Sequence, residues 1–193
     1  MILEGIVTTV GFDGAVNIAP MGPFVESNME DLVFRPFPTS QTYRNLRHKG
    51  EGVFHVTDDV LMLALAAIGL IEPLPPMTHA LDVEGYVITG CCRFYEFRCT
   101  HFDDSGQRVR IEAEVVNSGR FRDMFGFNRA KHAVVEAAIL ATRVHLLPAA
   151  EIEAEFRKLD VIVAKTGGPQ EREAFDVLQR YVAQQQELKS DSR

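Results

Sequence analysis

Three hydroxyl side chains lie close together at the start of a short predicted helix. Thr39, Ser40 and Thr42 belong to the stretch RPFPTSQTYRNL, which follows an apolar, strand-like run. The first N–H groups of a helix lack intrahelical acceptors and the macrodipole is positive at that end, so hydroxyls there could help to bind a phosphate. The same residue types are common helix N-caps. The stretch therefore predicts either an anion site or an ordinary cap.

Two features near this stretch favour a ligand. Arg35 precedes the hydroxyls and Arg44 follows them, so either could add a charge-assisted hydrogen bond to a phosphate. Upstream, the segment NIAPMGPF carries Pro20, Gly22 and Pro23 at a predicted strand end. Without bulky side chains, the backbone there can approach a flat ligand closely. By itself this segment would be read as an ordinary strand corner.

A metal site is not predicted. Cys91, Cys99 and His101 share one face of a predicted strand. Residues two apart on a strand are separated by about 6.6 Å, whereas zinc ligands lie about 2.0 to 2.3 Å from the ion. Since no second cluster of ligands is apparent, buried thiols explain these cysteines better.

A polar stripe follows one side of a predicted helix that begins near Asn128. Arg129, His132, Glu136 and Arg143 fall within about 60° of one another on an otherwise apolar helix. The stripe could form a buried or interfacial ion-pair network, or it could face a cofactor or substrate cleft. Arg129 is the candidate for the far wall of such a cleft.

Short strands and one short helix must position the hydroxyl-rich stretch. A hairpin turning at Asp13-Gly14 comes first, and a strand DLVFRPF ends at the prolines. The helix, about residues 41–49, is closed by Gly50, and EGVFHVTDD alternates like a half-buried strand. Two long strands, GCCRFYEFRCTHF and RVRIEAEVVNSGR, are joined by a turn.

The character of the chain changes near residue 120. Residues 1–120 are predicted to form a β-rich domain, and residues 121–193 a helical unit of three Ala-, Glu- and Leu-rich helices. The apolar run at 60–71 is too short to cross a bilayer and is expected to be a buried helix or strand pair. The proline-rich stretch EPLPPMTHAL is predicted to be a loop.

Composition excludes several classes of protein. Of the 193 residues, 46% are hydrophobic, which is enough to bury a core. The formal charge of −7 argues against nucleic acid or an anionic membrane as the main partner. Three cysteines form no even disulfide framework, and Glu4 interrupts any secretory apolar region, so a cytoplasmic protein is expected.

In chain order, NIAPMGPF, RPFPTSQTYRNL and GVFHV resemble the flavin reductase-like branch of the FMN-binding split β-barrel superfamily. A FNRAKHAVVEAAI-like helix makes the chain similar to a small uncharacterised archaeal and bacterial family with a helical C-terminal part. The resemblance implies a mainly β fold with α: a six-stranded, antiparallel, Greek-key-like split barrel plus the helical unit. It also implies a homodimer in which the subunits complete the flavin cleft.

The resemblance also implies a set of FMN-binding residues. Thr39, Ser40 and Thr42 match the phosphate turn, Asn45 matches the helix asparagine, and Arg35 lies at its entrance. His55 falls near the asparagine of the FVVN strand in flavin reductases, and Arg129 is added as the far wall. The segment that would line the flavin ring, mostly through backbone groups, consists of Asn17, Ile18, Ala19, Pro20, Met21 and Gly22.

Three functions stay open at this point. The first is an FMN-dependent oxidoreductase that acts on a small molecule by hydride transfer at flavin N5. The second is an FMN carrier, sensor or partner protein without turnover, which the lack of a match to a nicotinamide-binding element favours. The third is a binder of another phosphate-bearing cofactor. No catalytic residue is assigned.

Overall fold

The computed structural model describes residues 1–191, which form two compact units. The first unit consists of Met1–Thr57 and Pro73–Met124. The second consists of Asp58–Glu72 and residues 125–191. The sequence-based division at residue 120 assigned 58–72 to the barrel, whereas packing groups this segment with the helices.

The first unit is built on an antiparallel sheet curled into a half-barrel. Its seven strands run in the order β2-β1-β5-β8-β9-β4-β3, so β2 and β3 are the edges. A separate hairpin is formed by β6 and β7. The strands are β1 (Ile6–Val10), β2 (Val16–Pro20), β3 (Phe24–Val25), β4 (Asp31–Phe34), β5 (Glu51–Val56), β6 (Met77–His79), β7 (Tyr86–Ile88), β8 (Arg93–Asp103) and β9 (Arg110–Arg120).

The strand count differs from the six that were expected. The seventh strand is β3, whose two residues, Phe24 and Val25, pair with Val33 and Leu32 of β4. Two residues are too few to show the alternation by which a strand is recognised in sequence. The predicted loop EPLPPMTHAL also contains β6, because pairing with β7 begins directly after its last proline.

The concave side of the sheet holds the main core. Val7, Phe54 and Phe97 are fully buried there, and Phe34 packs on Phe97 with ring centroids 4.8 Å apart. Phenylalanine supplies most of this packing because the chain has 13 Phe and no Trp. Tyr95 borders the same core and is only partly buried, so one end of the concave side is accessible to solvent.

One helix, α1 (Gln41–Lys49), belongs to the first unit and packs against β1 and β2. Ser40 is its N-cap, and the Ser40 hydroxyl accepts the N–H of Tyr43 at 3.2 Å. Gly50 ends the helix at φ 72°, in the left-handed conformation that glycine adopts most easily. Both ends of α1 are therefore where the sequence predicted them.

The second unit is helical in the part of the chain that the structure describes. It contains α2 (Val60–Ala67), α3 (Arg129–Thr142), α4 (Ala149–Thr166) and α5 (Pro169–Asp191). The apolar run at 60–71 is thus a helix, capped by Asp59, and it packs with α3 and α5. Small residues such as Ala133 and Ala137 form the buried face of α3. Within residues 1–191, no helix is both long and apolar enough to span a membrane.

Candidate functional site

A hydrogen-bonded cluster joins the start of α1 to the β1–β2 hairpin. Asn17 on β2 donates through Nδ2 to the hydroxyl oxygens of Thr42, at 3.1 Å, and Thr9, at 3.2 Å. Asn45, one turn further along α1, donates to Thr9 Oγ1 at 3.0 Å. Its Oδ1 accepts the side-chain amide of Gln41 at 2.7 Å. The cluster fixes the helix start against strand β2.

The buried members of this cluster position the site and are shielded from solvent. Thr42 is 2% exposed and Asn45 is 3% exposed. Thr9, buried behind them, receives both asparagine side chains. A buried amide with satisfied hydrogen bonds holds its neighbours in one arrangement, because leaving it unpaired costs about 1 to 3 kcal/mol. Sequence reasoning missed Thr9, since a threonine in a β-branched strand looks like an ordinary strand residue.

The groups at the helix start that face solvent are different ones. The Ser40 hydroxyl donates to the carbonyl of Phe37 at 2.8 Å in addition to capping Tyr43, so it serves the local turn. Thr39 is exposed, and its hydroxyl has no hydrogen bond within residues 1–191. The guanidinium of Arg35 is likewise exposed and unpaired among the described residues. Thr39 and Arg35 are the side chains available to an anion.

The segment predicted to line a flat ligand is an edge of the sheet. β2 pairs only with β1, with Asn17 opposite Thr9 and Pro20 opposite Ile6. Its residues are all half-buried, and Met21 continues the pairing by donating its N–H to the carbonyl of Gly5 at 3.0 Å. The outer side of β2 therefore offers backbone donors and acceptors to a ligand. Asn17, Ile18, Ala19, Pro20, Met21 and Gly22 are contiguous along this edge.

His55 does not belong to an accessible site. Its ring is fully buried on β5, with Nδ1 donating to the carbonyl of Ile6 at 3.2 Å and Nε2 accepting the N–H of Ile88 at 3.0 Å. Burial lowers the pKa of His55 to about 4, although the hydrogen bond to Ile6 acts in the opposite direction. The side chain is therefore a neutral link between strands β1, β5 and β7, and a contact between His55 and a cofactor stays a prediction.

Arg129 and the polar stripe lie in the second unit and are exposed to solvent. Arg129, His132, Glu136 and Arg143 form no ion pair with one another among the described residues. His132 instead stacks on Phe127, with ring centroids 6.1 Å apart. The interpretation of the stripe as a buried ion-pair network is wrong, because α3 buries alanines and valine instead. A contact between Arg129 and a cofactor stays a prediction.

The first unit holds three free cysteines, of which Cys91 and Cys92 are buried and Cys99 is partly buried. Burial raises the pKa of Cys91 and of Cys99 to about 12, and in each case a neighbouring acidic group, Cys92 or Glu51, adds to the shift. Within residues 1–191, no group of three or more His, Cys, Asp or Glu side chains is arranged to hold a metal ion.

A buried carboxylate supports the sheet and escaped the sequence analysis. Glu96 on β8 is fully buried and accepts the backbone N–H groups of Leu81, at 3.0 Å, and Asp82, at 2.7 Å. Asn117 donates to it at 3.0 Å from β9. Glu96 thus ties the β6–β7 turn to the sheet, and a local pattern cannot reveal this because its partners are distant in sequence.

Two family models match the chain. One, described as the N-terminal domain of a protein of unknown function, DUF447, matches residues 3–122. The other, described as a protein of unknown function, DUF447, matches residues 128–180. No curated protein matches the chain in sequence.

Solved structures share the fold. An FMN-bound protein of Methanosarcina mazei, described with the same family model, superposes with a TM-score of 0.81 at 22% identity, over 93% of this chain and 94% of its own. Flavoredoxin of Methanosarcina acetivorans superposes with a TM-score of 0.53 at 12% identity, over 62% of this chain and 68% of its own. Nitrilotriacetate monooxygenase component B of Bacillus cereus superposes with a TM-score of 0.52 at 18% identity, over 62% of this chain and 70% of its own. The expected flavin reductase-like split-barrel fold with C-terminal helices is confirmed.

Proposed function

The chain belongs to the DUF447 family of proteins of unknown function, and from that premise we propose that it is an FMN-binding flavoprotein. The relative from Methanosarcina mazei is described as FMN-bound and is similar over nearly the whole of both chains. The proposed site extends from the start of α1 along strand β2. The observation that carries the proposal is the hydrogen bond between Asn17 and Thr42, which joins those two elements.

The start of α1 fits the phosphate group of FMN. Its first turn carries backbone N–H groups without intrahelical acceptors, and no acidic residue lies in that turn. Arg35 and Thr39 are exposed beside it and have donors to spare, within the part of the chain that the structure describes. Ser40 and Thr42 hold the turn in shape through the bonds described above, and Asn45 braces it from one turn further along.

The outer edge of β2 fits the flavin ring. Isoalloxazine needs an apolar surface and hydrogen-bond partners for its pyrimidine edge. Ile18, Ala19 and Met21 supply half-buried apolar surface, and the unpaired backbone edge supplies the partners. Gly22 is closely packed, because an added Cβ would lie 2.7 Å from the Ile2 side chain. The ring-lining segment is therefore held in place by the N-terminal residues.

We propose an oxidoreductase that acts on a small molecule. FMN, when bound, supplies hydride transfer at N5, and the protein contributes binding, orientation and exclusion of water. The buried cluster of Asn17, Thr42 and Asn45 keeps strand and helix in register, so the ring and the phosphate of one ligand are held at a constant separation. Flavin reductase-like neighbours such as nitrilotriacetate monooxygenase component B support this class of activity.

An FMN carrier or sensor without turnover is the second candidate. It is favoured by the state of His55, which is the only histidine among the residues predicted to bind FMN. Its ring is neutral, buried and hydrogen-bonded at both nitrogens, so it cannot donate a proton to a substrate. In that case bound FMN would pass electrons to a partner protein or report on redox state.

We further propose that the protein works as a homodimer. Every residue of β2 is half-exposed in one protomer, so a flavin ring on this edge would be covered on one side only. A second subunit would cover the other side, as the split-barrel resemblance implies. Size-exclusion chromatography with light scattering distinguishes the mass of two chains from that of one.

FMN titration of the purified protein tests the binding proposal. Flavin fluorescence should be quenched on binding, and the variant R35Q/T39A should bind FMN at least tenfold more weakly, because it loses a charge-assisted donor. The matched control is R110Q, which removes one exposed arginine from β9. Protein that takes up no FMN would overturn the proposal, and unchanged affinity in R35Q/T39A would move the phosphate elsewhere.

Anaerobic titration separates the two candidate functions. If the FMN-loaded protein is an oxidoreductase using a nicotinamide donor, then NADH or NADPH should bleach the flavin absorbance within seconds to minutes. Bleaching by dithionite alone would favour the carrier. Reoxidation by added electron acceptors then identifies the class of small molecule.

A further inference from the structure

A cavity of about 340 Å³ in the first unit takes no part in the proposed flavin site. Its lining includes Asn28, Met29, Arg93, Tyr95, Ser118 and Arg120. The volume is about ten times that of one water molecule in the liquid, which is room for a small organic molecule. It lies at the lower end of the range for small-molecule sites, about 300 to 1,000 Å³.

Two arginines face each other across the floor of this cavity. Arg93 on β8 is directly opposite Arg120 on β9 in the antiparallel register. Opposite side chains in such a pair have Cβ atoms about 4.5 to 5.5 Å apart, and like charges at this separation repel. In an acidic chain, with a formal charge of −7, this local concentration of positive charge needs an explanation.

The charge of the pair is only partly compensated by the protein. Arg120 forms an ion pair with Asp123 at 2.9 Å, but both side chains are more than half exposed, so water screens the interaction. The guanidinium of Arg93 has no ion pair or hydrogen bond within residues 1–191. At least one guanidinium is therefore available to a ligand, and guanidinium groups bind carboxylate and phosphate with two parallel hydrogen bonds.

Neutral donors complete the floor. Tyr95 is opposite Ser118 in the same register and lies two residues from Arg93, so all four side chains are on one face of the sheet. The ring of Tyr95 stacks on Phe54, with centroids 6.4 Å apart, which fixes its orientation. The hydroxyls of Tyr95 and Ser118 have no hydrogen bond within the described chain and can donate to an anion.

The wall of the cavity is a strained turn. Met29 has φ 56°, the left-handed conformation that is uncommon for a residue with a side chain, and its N–H bonds the carbonyl of Glu26 at 3.2 Å. In this turn the side-chain amide of Asn28 donates to the carboxylate of Glu30 at 2.8 Å. Backbone strain of this kind is retained where a site needs a defined shape.

We propose that this cavity binds the carboxylate or phosphate group of a small molecule between Arg93 and Arg120, with the Tyr95 and Ser118 hydroxyls as additional donors. The cavity lies at the end of the sheet where β2 also ends. One row of paired residues crosses five strands there and consists of Pro20, Ile6, His55, Phe94 and Gly119. Arg93, paired with Val56, lies in the next row. The ligand is a candidate substrate or effector. The proposal does not depend on the flavin site.

Thermal unfolding and calorimetry of the full chain test it, with inorganic phosphate and succinate as the two probes at constant ionic strength. At least one probe should raise the unfolding temperature and bind saturably. R93Q should weaken that binding at least tenfold. The matched control R110Q, which removes the same charge from the far end of β9, should not weaken it. Phosphate binding alone assigns a phosphate ligand, and succinate binding alone assigns a carboxylate.

Three results would overturn the proposal. The first is that neither probe binds. The second is that R110Q weakens binding as much as R93Q does, which would indicate a general surface effect. The third is that R93Q loses FMN, which would make the cavity part of the flavin site. Because R93Q is expected to keep FMN and R35Q/T39A to lose it, failure of one proposal is distinguished from failure of the other. R93Q also removes a repulsion, so the variant should unfold no earlier than the wild type without a probe.

Discussion

The side-chain amide nitrogen of Asn17 lies 3.1 Å from the hydroxyl oxygen of Thr42, and this bond joins strand β2 to helix α1 across 25 residues of sequence. Thr42 is buried, and its hydroxyl oxygen accepts the side-chain amide of Asn17. The geometry of the proposed FMN site thus depends on a residue whose side chain is shielded from solvent.

Removing the Thr42 hydroxyl should loosen both the fold and the site. T42V keeps the volume but leaves a half-buried amide hydrogen of Asn17 without this acceptor, which should cost about 1 to 2 kcal/mol of unfolding free energy. FMN should bind several-fold more weakly. Urea denaturation and flavin fluorescence measure the two effects. T100V, at an exposed strand position, should change neither; equal effects in both variants would contradict a specific role for Thr42.

Stability should fall between pH 6.5 and about pH 4 because of His55. Its pKa is about 4 in the folded protein, whereas an unfolded histidine titrates near 6.5, so the unfolded state binds more protons in this range. The stabilisation is complete above pH 6.5 and is lost as the pH falls towards 4, by at most about 3 kcal/mol. In urea denaturation, the stability of H55Q should depend less steeply on pH than that of the wild type. The control H145Q, at an exposed position, should show the same pH dependence as the wild type. An identical slope in H55Q would contradict the buried neutral state.

The ion pair between Lys131 and Glu171 should matter more than those on the surface. Their charged atoms are 2.9 Å apart, and the side chains are 18% and 9% exposed. Burial alone would raise the pKa of Glu171, but hydrogen bonds from Lys131 and the N–H of Gly168 outweigh it and lower the pKa. K131M leaves this carboxylate without its cation and should cost about 3 kcal/mol.

The exposed pair Lys158–Glu155 provides the control for that variant. K158M should change the unfolding free energy by about 0.5 kcal/mol or less, because water screens the pair. Chemical denaturation of both variants gives the comparison. If K158M costs as much as K131M, burial is not what makes the Lys131 pair important.

Cys91 and Cys99 should resist alkylation in the folded protein. Their pKa values of about 12 keep the thiolate, the reactive species, scarce at pH 8. Mass spectrometry after treatment with iodoacetamide should find both cysteines unmodified in buffer. They should be modified in about 8 M urea, where the chain is unfolded. Rapid modification in buffer would show that these strands open readily.

Local signals in the sequence predicted the frame of the site but not its internal contacts. The helix bounds could be predicted because Ser40 and Gly50 are residues with specific roles at helix ends. The contact between Asn17 and Thr42 could not, because it arises from the pairing of β1 with β2 and the packing of α1. The hydroxyls looked equivalent in sequence, and only burial separates Thr42 from Thr39.

The contacts that the sequence did not reveal have the same origin. His55 shares one face of its strand with Val53 and Thr57, and its partners Ile6 and Ile88 belong to other strands. Arg93 and Arg120 are about 27 positions apart and form a pair only through the β8–β9 register. Likewise, the sequence indicates that the polar residues of α3 lie on one side of the helix, but no local pattern indicates whether that side contacts solvent or protein.

Helix α2 interrupts the part of the chain that forms the first unit, and this has a consequence for synthesis on the ribosome. Val60–Ala67 is translated about 60 residues before α3 begins at Arg129. At about 5 to 20 residues per second, the nascent segment waits roughly 3 to 12 seconds for its partner helices. During that interval its apolar surface is a target for chaperones, and a fragment ending at residue 124 would never bury it against α3 and α5.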